Sequence, residues 1–173
     1  MTTEPFFESG MSFGPYPDGH CFRVEKSDIY NKLGQGVKMA EFLLLRKNSQ
    51  PPTIWIVEAK SSSPRPETQP NFGEFIHEIR EKLVNALTLG VAACLSRHKS
   101  VAAEPPELFK MLDLKTLDFK LVLVINGHRD AWLPPVQDAL KKALHVAVKT
   151  WGLSVNSVTV INDKNAREHG LIV

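Results

Sequence analysis

The run Thr53-Ile54-Trp55-Ile56-Val57-Glu58-Ala59-Lys60 leads straight into Ser61-Ser62-Ser63-Pro64. Its first five residues are uncharged and rich in β-branched and aromatic types, which specifies a buried strand. A strand of this kind is expected to end in a neutral turn, yet this one ends in a carboxylate and an ammonium two positions apart. Residues i and i+2 of a strand share a face, so Glu58 and Lys60 project side by side at the rim of a sheet. Charges there are costly unless they are paired or bind something. The segment therefore demands a sheet and marks the end of one strand as a candidate active site.

The pattern around this strand is mixed. Residues 1–20 are rich in Gly, Pro and aromatics (Phe6, Phe7, Phe13, Tyr16) without a period, and read as an irregular arm laid on the body. A short helix is expected over Val24–Leu33 with Gly34 closing it, then a strand over Val37–Arg46. Pro51 and Pro52 cannot donate to a ladder, so the next strand begins at Thr53. Ser61–Asn71 holds Pro64, Pro66 and Pro70 and must be a loop. From Phe72 the period changes: Phe72, Ile76, Ile79, Leu83, Ala86, Gly90 and Cys94 mark a long amphipathic helix ending near Arg97. One helical turn is expected at Glu107–Leu112 and a strand at Phe119–Asn126. A helix should follow at Leu133–Trp151 with Pro134 in its first turn, then a short strand at Ser157–Ile161 and a frayed polar tail. Interleaved helices and strands of this kind give an α/β fold, with helices on both faces of a mixed central sheet. The length of 173 residues fits a single domain over 1–173.

The first two strands allow a geometric test. If the turn Lys47–Pro52 joins antiparallel neighbours, Arg46 faces Thr53 and Glu41 falls opposite Glu58. Both acids then interrupt otherwise apolar faces. Like charges opposed across a ladder destabilise it, so one acid is protonated, or Lys60 compensates, or a cation sits between them. Oxygen-only ligands favour Mg²⁺ or Mn²⁺. A Glu-x-Lys tripeptide alone arises by chance about once in a chain of this length, and a solvated ion pair would also account for it. The weight lies in two apolar strands that each carry one acid.

The segment Glu41-Phe42-Leu43-Leu44-Leu45, a short turn, then Ile54-Trp55-Ile56-Val57-Glu58-Ala59-Lys60 resembles the core motif of the PD-(D/E)xK nuclease superfamily. The resemblance covers residues 22–126, with 127–173 adding a helix and a strand. It implies a restriction-endonuclease-like fold, three α/β/α layers around a core of order α-β-β-β-α-β. Carried over by position, Glu41 and Glu58 would ligate the metal with the Ala59 carbonyl, and Lys60 would orient or deprotonate the attacking water. Glu25, on the helix before the strands, is the candidate for a further acid found there in many members; helix capping would explain it equally. The first acid here is Glu where the family usually has Asp, and Ala40 replaces the proline before it. One clear strand, rather than two, separates the first helix from the Glu-x-Lys strand.

Four further side chains are candidates for substrate contact. Arg65 lies in the loop leaving the site, while His77, Arg80 and Lys82 lie on the long helix. A solvated face with Glu78 and Glu81 would account for the helical three just as well. The function implied is a metal-dependent nuclease hydrolysing phosphodiester bonds, with DNA ahead of RNA as substrate. The alternative is a non-catalytic accessory module on the same fold. The formal net charge of +2 favours that alternative slightly, because nucleases of this size usually carry a clearer basic groove. A homodimer or a partner protein would enlarge the groove, and the aromatic arm suits such docking. Cys21 and Cys94 match no metal spacing and point to a reduced, cytoplasmic setting. Neither a membrane span nor a signal peptide is expected: no apolar run approaches the roughly 20 residues of a span, and Glu4 and Glu8 stand where a basic n-region would be.

Overall fold

The computed structural model describes residues 1–101 and 104–173. Its centre is a five-stranded sheet built from β3 (Cys21–Phe22), β4 (Phe42–Arg46), β5 (Thr53–Lys60), β6 (Asp118–Ile125) and β7 (Val158–Asn162), in that spatial order. The β3–β4 and β4–β5 pairs are antiparallel, and β5–β6 and β6–β7 are parallel. The sheet is therefore mixed, as expected, and its parallel centre reads as near-continuous apolar sequence because it is buried on both faces.

Each face follows from strand alternation. Leu43, Leu45, Ile54, Ile56, Leu121 and Leu123 point to one side. There they meet α2 (Asn71–Cys94) and α4 (Leu133–Thr150), while α3 (Glu107–Lys110) adds Phe109. Both long helices share this face because β5-α2-β6 and β6-α4-β7 are successive parallel crossovers moving the same way across the sheet, and such crossovers are right-handed. Phe42, Leu44, Val57, Val122 and Val124 point to the other side. That third layer combines α5 (Asp163–Glu168) with a hairpin of β1 (Phe6–Glu8) and β2 (Met11–Phe13).

The hairpin replaces the irregular arm. Its two-residue loop, Ser9-Gly10, has positive φ at both positions (49° and 80°), the conformation that matches strand twist in tight hairpins. Phe13 and Tyr16 are buried behind it, packed on the Phe42 ring. The tail is likewise ordered. The Asn162 side chain accepts from the Asn165 N–H to start α5, Leu171 and Ile172 are buried, and Ile172 bridges to Phe13.

Three boundaries differ for local reasons. The helix expected over Val24–Leu33 is a 3-10 turn, Val24–Lys26, followed by α1 (Asp28–Lys32). The break is Ser27, extended in backbone, whose hydroxyl accepts from the Tyr30 N–H and so caps a new helix. β4 begins at Phe42 rather than Val37. The Val37 carbonyl accepts the Tyr30 hydroxyl (2.7 Å) and the Lys38 carbonyl accepts Asn85 Nδ2 (2.8 Å), so side chains satisfy this backbone in place of a ladder. α2 stops at Cys94: Ser96 takes φ 54°, and the Ser96 and Arg97 N–H groups return to the Ala93 and Ala92 carbonyls, a Schellman closure. The second strand absent from the sequence reading is β3. It lies before α1, so the core order is β-α-β-β-α-β rather than α-β-β-β-α-β. Among the described residues no helix is long and apolar enough to cross a membrane.

Candidate active site at the end of β5

The β4–β5 register is the expected one, with Arg46 opposite Thr53 and Phe42 opposite Val57. One step further the strands part. The Glu41 N–H donates to the Val57 carbonyl at 3.0 Å rather than continuing the ladder toward Glu58. This divergence leaves the last residues of β5 unpaired on the β4 side and opens a notch there.

The Ser9-Gly10 turn closes on that notch. Ser9 Oγ donates to the Ala59 carbonyl at 3.0 Å, and Asn126 Nδ2 donates to the Ser9 carbonyl at 3.3 Å. A Cβ on Gly10 would stand 2.5 Å from Asn126 Nδ2, so close approach as well as positive φ requires glycine. One lone pair of the Ala59 carbonyl is thereby taken and one remains.

Docking of the hairpin brings Glu8 to Glu25 and Glu41, with one carboxylate oxygen from each lying within 4.8 Å of the others. Glu41 is buried, and its carboxyl is pushed up to about 9. Burial is the main cause; the hydrogen bond with Glu25 and the charges of Glu58, Glu25 and Glu8 add to it. Without a cation, the cluster holds its proton well into the alkaline range.

Glu58 has no exposed surface. Its Oε1 accepts from Lys82 Nζ at 2.8 Å and lies 3.5 Å from Lys60 Nζ. Its Oε2 is buried without a hydrogen-bond partner. Burial pushes this carboxyl up to about 7 against the pull of Lys82 and Lys60. Lys82, although burial works against its charge, is held above the ordinary lysine value by Glu58. Lys60 also reaches Glu78 Oε1 at 2.7 Å, and that bond holds the Glu78 carboxyl below its usual range.

The sequence candidates divide accordingly. Glu25 and Glu41 meet directly, Glu58 and Lys60 pair beside them, and Glu41 feels the Glu58 charge. Arg65 lines a cleft of about 690 Å³ between the Ser61–Glu67 loop and the connection after β6. His77 is largely exposed on α2, 3.7 Å from Glu81. Arg80 is turned away: it stands about 200° round the helix from Glu78, and its Nε donates to the Ala143 carbonyl of α4 at 3.1 Å. Arg80 locks two helices together and is not brought to the carboxylates. Lys82, expected as a phosphate contact, instead pairs with Glu58, because it stands one turn after Glu78, the spacing that places both over β5. Glu8 was missed: it carries no local signal, since only hairpin docking brings it in.

The donors are all oxygens, with a raised carboxyl and an orphaned carboxylate oxygen among them, and this set fits a hard divalent cation. Neither a protein-family model nor a curated protein matches the chain. Among solved structures it is similar to the restriction endonuclease FokI at 15% identity and a TM-score of 0.40, over 80% of this chain. The match spans only 22% of the FokI chain.

Proposed function

We propose that the protein is a metal-dependent nuclease that hydrolyses phosphodiester bonds, acting on DNA ahead of RNA. The observation that carries this reading is the convergence of Glu8, Glu25 and Glu41 beside a wholly buried Glu58 and the Lys60 ammonium, all at the carboxyl end of a parallel strand. Ligands of open α/β sheets bind at that end. Glu41 and Glu58 would hold a Mg²⁺ or Mn²⁺ ion, with Glu25, Glu8 and the free lone pair of Ala59 as further oxygens. When bound, the ion supplies positive charge against the phosphate oxygens as negative charge develops there.

The chain's own groups do the rest. Lys60, steadied between Glu58 and Glu78, presents an ammonium where the attacking water loses its proton. Lys82 neutralises Glu58 from the helix side and fixes its carboxylate. A water oxygen bonds to phosphorus, the phosphorus–oxygen bond to the leaving strand breaks, the proton lost by water passes to the carboxylates or solvent, and the leaving oxygen takes a proton from solvent to become a hydroxyl. A homodimer would widen the weak positive field of one subunit. Phe7, 72% exposed on the hairpin next to Glu8, supports this reading as an uncovered apolar side chain.

The test is cleavage of plasmid, linear duplex and single-stranded DNA in Mg²⁺ or Mn²⁺, with Glu58→Gln and Lys60→Met alongside. The expected result is metal-dependent cleavage that falls about 100-fold or more in each variant. Wild type and variants behaving alike would return the chain to the alternative, an accessory module without catalysis.

A further inference from the structure

The cleft that holds Arg65 has a second wall that the nuclease chemistry does not use. One side is the Ser61–Glu67 loop, which starts at the residue after Lys60. The other is the connection from β6 to α4, which brings His128 and Trp132 to the cleft. The two sides are joined at the base, where the Asn126 N–H donates to the Lys60 carbonyl at 2.9 Å. Ser62, Ser63 and Pro64 also line a shallower depression that reaches Glu78, the ion-pair partner of Lys60. The cleft thus begins at the residue after Lys60, and its loop also borders the depression at Glu78.

Its far wall is preformed. Asn162 Nδ2 donates both to the His128 carbonyl (2.8 Å) and to Asp130 Oδ1 (2.7 Å), and the Gly127 N–H donates to Asp163 Oδ1 at 2.8 Å. These bonds tie the connection to β7 and α5. The wall they hold is aromatic: the His128 ring meets Trp132 edge-on at 5.5 Å, and the Arg129 guanidinium, outside the cleft lining, lies 4.8 Å from the Trp132 ring centroid. Trp132 remains 44% exposed, and His128 Nε2 is buried without a partner. A large part of the indole thus lies at the surface of the cleft.

Resting on the nuclease reading, we infer that this cleft receives one unpaired nucleobase of the strand whose phosphate lies at Glu58 and Lys60, so that the substrate is a single strand or a frayed end. A volume of about 690 Å³ lies in the range of sites for one small ligand. It has room for one nucleotide. A partly exposed indole is a surface on which bases of any sequence stack. The serine hydroxyls offer hydrogen bonds to the edge of the base, and Arg65 at the mouth meets the adjoining phosphate.

The test measures binding with chelator present, so that no cleavage occurs, by anisotropy of a labelled ten-nucleotide single strand and of the matching blunt duplex at low salt. The single strand is expected to bind about tenfold more tightly or better. Trp132→Ala should lower its affinity about tenfold and leave the duplex unchanged, while Trp132→Phe should restore most of the loss. Trp151→Ala, at another partly exposed tryptophan, should change neither, and circular dichroism should find every variant folded. Tighter binding of the duplex, or a Trp132→Ala protein that holds the single strand like wild type, would overturn the inference. Because no metal is present, an intact single-strand preference in a protein that never cleaves would overturn the nuclease reading alone.

Discussion

Lys82 decides how Glu58 can exist at all. A carboxylate with no exposed surface needs a partner, and Lys82 at 2.8 Å is the nearer of its two ammonium groups. Lys82→Met leaves Glu58 with Lys60 alone. Loss of one member of a buried pair costs about 3 kcal/mol, so urea unfolding at pH 8 should show destabilisation of that order. The penalty should shrink toward pH 4.5, where Glu58 is protonated in the folded chain and needs no partner for a charge. An equal loss at both pH values would mean that the methylene stem of Lys82, not its charge, matters. The sequence carried Glu58 and Lys60 openly, because a charge inside an apolar strand is an anomaly visible without a structure. It carried Lys82 only as a candidate phosphate contact on a helix of many charges. Its role depends on α2 crossing β5 at that turn, which periodicity does not supply.

At the scale of elements, α2 approaches β4 so closely that a Cβ on Gly90 would stand 2.4 Å from Leu43 Cδ2. Helix propensity favours alanine over glycine by about 1 kcal/mol, whereas overpacking a core costs about 1–3 kcal/mol. Leu43 is 1% exposed and has little room to yield. Gly90→Ala should therefore lower the melting temperature despite the better helix former, and a rise would show that Leu43 repacks freely. The helices and strands were legible where their period was sustained, in α2, β5, β6 and α4. The β4–β5 register was legible too, since proline confined the turn and alternation set the faces. The hairpin was not: β1 and β2 have three residues each, too few to establish alternation. Their stability comes from Phe13 and Tyr16 packing on Phe42, a contact remote in sequence.

For the whole molecule, the carboxyl cluster ties stability to pH. Folding raises Glu41 from the ordinary carboxylate range to about 9 and Glu58 to about 7. The folded chain thus binds more protons than the unfolded chain between those limits, and its stability falls as pH rises through them. In chelator, the melting temperature should drop by about 3 °C or more from pH 5 to pH 9. Glu41→Gln should flatten that slope. A melting temperature that rises over this interval would contradict the burial of the acids. A divalent ion should reverse the effect, because it takes the place of the protons and releases them on binding.

That exchange gives the most direct test of the central claim, that the acids at the end of β5 form a divalent-metal site. Wild-type protein and Glu41→Gln are titrated with Mn²⁺ by calorimetry at pH 7.5, in two buffers of different ionisation enthalpy. The expected result is one ion per chain with proton release in wild type, and loss of that binding in Glu41→Gln. Absence of binding by wild type, or the same binding by both proteins, would contradict it.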